Sequence, residues 1–204
     1  MSERPAEPGA ASVAPASSAE LSPTAAWSRR VRRVGGLIQL AFAAFWLLRG
    51  SLVIGGAVGA VLIALSAVVA IGVLVYAIRE TAGTAPRPRS AEGKRIERDV
   101  TIATVAEFVA AFVLPVIVIS AGHSDWVLPS IAITIGPLLL YLDHRVHLPR
   151  YRPVGWALTI GPLILVAVMS GTPLIATTGI ASGLLLLGTA FAGFHDLSEI
   201  RRQP

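Results

Sequence analysis

Four clusters of charged residues divide this chain, and between them run apolar stretches of roughly 17 to 25 residues without a polar stripe. A helix needs about 20 apolar residues to cross roughly 30 Å of hydrocarbon. A soluble helix would instead carry polar residues along one whole face. The pattern predicts an all-α polytopic integral membrane protein. Only 14% of the residues are charged and 54% are hydrophobic, whereas soluble domains are about 25% charged.

Six spans are expected, at about 34–54, 57–78, 100–121, 126–142, 154–170 and 173–194, within a transmembrane domain of residues 29–196. Gly55-Gly56 is the expected turn between the first two, with Arg49-Gly50-Ser51 as the alternative. Pro115, Pro129, Pro137 and Pro162 fall inside spans, which membranes tolerate because neighbouring groups satisfy the freed carbonyls. Residues 1–28 are rich in Ala, Ser, Pro and Glu. Such a segment buries too little apolar surface to fold, so it is read as a disordered cytoplasmic tail. Residues 197–204 form a short C-terminal tail. The run Arg29 to Arg33 follows the tail and precedes a full-length span, unlike a cleaved secretory signal, whose charges come first.

The basic residues are placed asymmetrically. The N-terminal segment holds Arg4, Arg29, Arg30, Arg32 and Arg33, the second connection six more, the fourth Arg145, Arg150 and Arg152, and the C-terminus Arg201 and Arg202. Together these make 16 of the 17, and only Arg49 belongs to the other side. Excess Lys and Arg mark cytoplasmic loops, so both termini are expected inside. Trp126 suits the outer interface, and Tyr76, Tyr141 and Trp156 the inner one.

A net charge of +5 does not point to nucleic acid, because the arginines sit at helix ends and not along one face. Anionic lipid headgroups are their expected partners, together with a homo-oligomer or another membrane protein. The chain has no Cys, which removes disulfides, thiolate nucleophiles and Cys-ligated metals. Sixteen Arg against one Lys (Lys94), with abundant Ala, Gly and Val, suggest a GC-rich bacterial genome and the cytoplasmic membrane. No cofactor is expected. Neither G-x-S-x-G nor a Gly-rich phosphate loop occurs, and no histidine spacing matches H-E-x-x-H.

Two local groups stand out. In "YLDHRVHLPRYRPVGW" (Tyr141 to Trp156), Asp143, His144 and His147 would share a helix face at i, i+3 and i, i+4. His195 and Asp196 end the last span on the same side, so five possible metal ligands share one membrane face, and zinc would need three or four of them to converge. The simpler reading is a basic elbow, in which Pro149 ends the helix near His147 and "RYRP" anchors the next span. From "GPLLLYL" through "HLPRYRPVGW" the chain resembles small multi-pass bacterial membrane proteins of unknown function. Gly136, Pro149, Tyr151 and Gly155 are the matching positions, and the resemblance implies no activity.

The second group centres on Glu107. It lies eight residues beyond Asp99, about 12 Å into the bilayer at 1.5 Å per residue. An ionisable group at that depth costs several kcal/mol and is a functional candidate by default. Candidate partners are Gln39 and Arg49 in the first span, Ser66 in the second, and Thr177, Thr178 and Ser182 in the sixth, with Arg49 able to reach either the outer interface or inward toward Glu107. The small-residue ridges Gly55-x-x-x-Gly59 and Gly179-x-x-x-Gly183 are expected to pack helices within the chain. A nine-residue repeat, "AITIGPLLL" (Ala132 to Leu140) and "ALTIGPLIL" (Ala157 to Leu165), reflects similar helix composition. The expected function is a non-enzymatic accessory, structural or interaction role. The alternative is a small oligomeric transporter or ion-coupled carrier that uses Glu107.

Overall fold

The computed structural model describes residues 23–82 and 90–202, and these fold into helices with no strand. In chain order they are α1 (Pro23–Arg30), a π-helical turn (Val31–Gly35), α2 (Gly36–Ile54), α3 (Gly56–Glu80), α4 (Ala91–Ser120), a 3-10 turn (Ser124–Trp126), α5 (Val127–Val146), α6 (Tyr151–Val168) and α7 (Gly171–Arg202). Six helical segments are long and apolar enough to cross a membrane: Ala25–Ile54, Gly56–Glu80, Ala91–Ser120, Ser124–Val146, Tyr151–Val168 and Gly171–Ile200. The protein is therefore an all-α polytopic membrane protein with six spans.

The turn between the first two spans falls where the sequence places it, while the start of the folded part does not. The first turn falls at Gly55, whose φ of 68° favours glycine, and α2 continues through Arg49. Of the segment read as a tail, residues 1–22 lie outside the described residues, as do Arg87 and Arg89. Pro23–Arg30 is helical. Ala26 and Trp27 are buried, and the Trp27 indole donates to the Gly93 carbonyl at 2.8 Å. The folded part thus begins before the basic run.

The helices form two trios. In the first, α2 packs extensively on α7, and α3 lies on α2. In the second, α5 packs on α6, and α4 lies on α5. The trios meet where α7 touches α5 and α6, and where α1 reaches α4 and α5. Small residues set the first contact. A Cβ on Gly50 would lie 2.9 Å from the Ile180 backbone nitrogen, and one on Gly179 would lie 2.7 Å from the Gly50 Cα. Gly183 faces Leu47, so the Gly179/Gly183 ridge is used within the chain. Gly59 similarly rests on the Ser51 carbonyl.

In the second trio, Gly136 and Gly155 face each other across α5 and α6, and a Cβ on either would meet the other's carbonyl oxygen at 2.7 to 2.9 Å. The repeated "TIGP" pieces are not equivalent, because Gly161 has open space where its counterpart Gly136 has none. Composition, and not matched packing, accounts for that repeat. The outer helices α3 and α4 are barely covered: only 11% and 6% of their most apolar stretches are buried within the chain, against 50% for α7.

Candidate functional site

The basic elbow is a helix C-terminus built around one unusual residue. α5 ends at Val146, and His147 takes the left-handed conformation (φ 54°, ψ 64°) that commonly closes helices. Pro149 follows, and α6 starts at Tyr151, whose amide donates to the Leu148 carbonyl at 2.8 Å. His144 and His147 are exposed. Among the described residues, the His, Asp and Glu side chains that cluster closely enough to share an ion are His195, Asp196 and Glu199. Asp143, His144 and His147 do not join them, so the five-ligand convergence does not form.

Asp196 has a different engagement. One of its oxygens accepts from Arg32 at 2.8 Å and the other pairs with Arg150 at 2.9 Å. Metal ligation by Asp196 would displace both ion pairs. The three residues come from the basic run, the elbow and the end of α7, so Asp196 ties the first trio to the second. Arg145 pairs at 3.0 Å with Asp99 on α4, while Asp143 makes no ion pair among the described residues. At the opposite end, the Gly171 amide donates to Asp125 at 2.8 Å, and His123 stacks on Trp126 at 4.2 Å.

An Asp196→Asn variant should measure the value of the Arg32–Asp196–Arg150 bridge. Partly exposed ion pairs contribute about 1 kcal/mol or less each, so a loss of roughly 1 kcal/mol in unfolding free energy is expected. Thermal unfolding in detergent at low and high salt is the measurement, and the gap between variant and wild type should narrow at high salt.

The second candidate group lies in the gap between the trios. A cavity of about 300 Å³ runs from Trp27 and Arg30 at the basic end to Phe42, Phe108 and Ile135 deeper in the bundle. Gln39 from α2 and Glu107 from α4 both line it, 68 positions apart in sequence. Phe42 and Phe108 meet across the deep end with ring centroids 6.4 Å apart. Gln39 is buried and its Oε1 has no hydrogen-bond partner. Glu107 is half-buried, and no hydrogen-bond or ion-pair partner is found for it among the described residues.

The remaining expected partners of Glu107 lie elsewhere. Arg49 is exposed on α2, ten residues past Gln39 and so about 15 Å farther along the helix. Thr178 and Ser182 line a separate hollow between α6 and α7. Thr177 and Ser66 do not line the Glu107 cavity. Two residues that line it were not singled out from the sequence as partners. Tyr151 is buried beside Gln39, and Thr104 satisfies its own hydroxyl on the Val100 carbonyl at 2.9 Å. Thr104 stands one turn before Glu107, so helical spacing could have flagged it. Tyr151 reaches the cavity only because the elbow folds it inward. No protein-family model, curated protein or solved structure matches this chain.

Proposed function

We propose that this chain is a non-enzymatic protein of the bacterial cytoplasmic membrane, with both termini inside, that acts as a small ion-coupled carrier through Glu107. The observation that carries the reading is the shared cavity: a carboxyl and a buried, unpartnered amide oxygen from two trios line one apolar space. Sites between the helices of bundles commonly have this character, an apolar lining with few polar groups. The orientation rests on the 16-to-1 distribution of basic residues. Reporter fusions at Gly93 and at the C-terminus should therefore read cytoplasmic and one at Ser124 periplasmic. A periplasmic C-terminus would overturn it.

The carrier reading is tested with Glu107→Gln, which keeps shape and hydrogen bonding but cannot titrate. In liposomes containing a pH-sensitive dye, the wild type should show protein-dependent proton flux, and the Gln variant should lose most of it while unfolding at the same temperature. Equal flux from both proteins ends the carrier reading. A second reading, an interaction partner or homo-oligomer, is favoured by the uncovered apolar faces of α3 and α4. It expects Glu107→Gln to be silent and Glu107→Leu to alter only packing.

A further inference from the structure

We infer that the cavity between α2, α4 and α5 takes a lipophilic ammonium, an apolar molecule with a protonated amine as its head. The inference rests on the carrier reading of Glu107 and names the class of ligand. Arg30 and the Tyr151 hydroxyl bring donors to the wall, and Gln39 is hydrogen-bonded to Tyr151, yet the Gln39 Oε1 is left without one. Gln39 is 8% exposed, and its Oε1 faces no donor. Glu107 shares the wall and is likewise without a partner among the described residues. A buried acceptor left unmade costs about 1–3 kcal/mol, and an ammonium group offers three donors and no acceptor. Its charge also complements Glu107 when that carboxyl is ionised.

The rest of the wall fits the apolar body. Phe42 and Phe108 present aromatic rings, which attract cations within about 6 Å of their centroids. At roughly 30 Å³ per non-hydrogen atom, the share of one water in the liquid, a cavity of about 300 Å³ holds a ligand of about ten such atoms. Access is from the lipid side. Val34, Ile38 and Phe108, all more than 40% exposed, form part of the lining, and α2 and α4 pack against other helices and not extensively on each other. The opposite approach, past the basic end, is guarded by Arg30, whose guanidinium stands 5.7 Å from the Trp27 ring centroid. That charge repels a cation from the aqueous side and leaves the membrane as its route.

The test uses 1-naphthylmethylammonium and its neutral analogue 1-naphthylmethanol, with equilibrium dialysis against the full chain in phosphatidylcholine nanodiscs. Saturable binding of one ammonium per chain is expected, with the alcohol bound about tenfold more weakly or worse, as loss of a charge-assisted hydrogen bond implies. Glu107→Gln should weaken ammonium binding by about tenfold and Gln39→Leu by several-fold, with Glu107→Gln unfolding at the wild-type midpoint and Gln39→Leu at or above it. Equal binding of amine and alcohol by the wild type overturns the inference without any variant. So does ammonium binding indifferent to both substitutions, or a cavity that takes up phospholipid acyl chains only. Proton flux lost in Glu107→Gln alongside absent ammonium binding would keep the carrier reading and discard this ligand class. Ammonium binding with flux unchanged would do the reverse.

Discussion

Replacing Gly50 with leucine should abolish the folded protein. Gly50 and Gly179 bring the α2 and α7 backbones together, and a Cβ on Gly50 would also lie 3.0 Å from the Ala176 carbonyl oxygen. Backbone atoms in two helices cannot step aside as a side chain can, so even one added carbon must separate the pair. This is the most extensive packing in the fold, and the separation would strip contacts from buried Trp46 and Leu47 next to it. Overpacking costs about 1–3 kcal/mol and sometimes more. Gly50→Ala should accordingly lower the unfolding midpoint by about 5 °C, while Gly50→Leu should leave only aggregated material on size-exclusion chromatography. Gly161→Ala is the control, because its Cβ would enter open space, and it should stay within about 0.5 kcal/mol of wild type. A well-behaved Gly50→Leu protein with the wild-type midpoint would show that these helices do not meet at Gly50.

Loss of Trp27 should have the next largest effect. Its ring is 6% exposed and its indole N–H holds the Gly93 carbonyl at 2.8 Å. α4 otherwise packs chiefly on α5, so this residue fastens a helix with few other attachments. Truncating a buried tryptophan to alanine costs about 3–5 kcal/mol, and Trp27→Phe, which gives up the hydrogen bond but keeps most of the ring, about 1 kcal/mol. Deleting residues 1–22 should leave the unfolding midpoint unchanged, since their composition offers no apolar anchor, whereas deleting residues 1–28 should reproduce the alanine variant. Circular dichroism melts measure the midpoints. Limited proteolysis should show faster cutting around residues 90–96 in the alanine variant. Identical melts for Trp27→Ala and the 1–22 deletion would sink the idea that Trp27 fastens α4.

The six spans could be seen in the sequence because a membrane helix needs only length and apolarity, and both are local. Depth was local as well. Counting eight residues from Asp99 placed Glu107 deep in its span, Gln39 was named among its candidate partners, and the fold brings the two to one cavity. Azimuth was not local. Thr178 and Ser182 sit at a plausible depth on α7, but the close approach at Gly50 and Gly179 turns them toward α6. Nothing in the run of apolar residues encodes that rotation. Of the two directions open to Arg49, the inward one toward Glu107 is not taken, because α2 carries it about 15 Å past Gln39 and leaves it exposed and remote from the cavity. The elbow shows the reverse case. Pro149 and the adjacent charges predicted a chain turn, but not that His147 would make it in a left-handed conformation, or that Asp196 would be taken by Arg32 and Arg150.

The arrangement of the helices as two trios has a mechanical consequence. α7 is a single helix of 32 residues, stiff along its length and in contact with both trios, so it can serve as an axle about which one trio pivots against the other. The slot between α2 and α4 occupies only the half of the bundle nearer the basic end, where Arg30 and Trp27 mark its limit. Lateral pressure in that leaflet presses directly on the slot, while pressure in the opposite leaflet acts on the far side of the pivot. Lipids of different spontaneous curvature in the two leaflets would then exert a net torque on the trios. The shape of the surrounding lipid would help set how wide the slot stands.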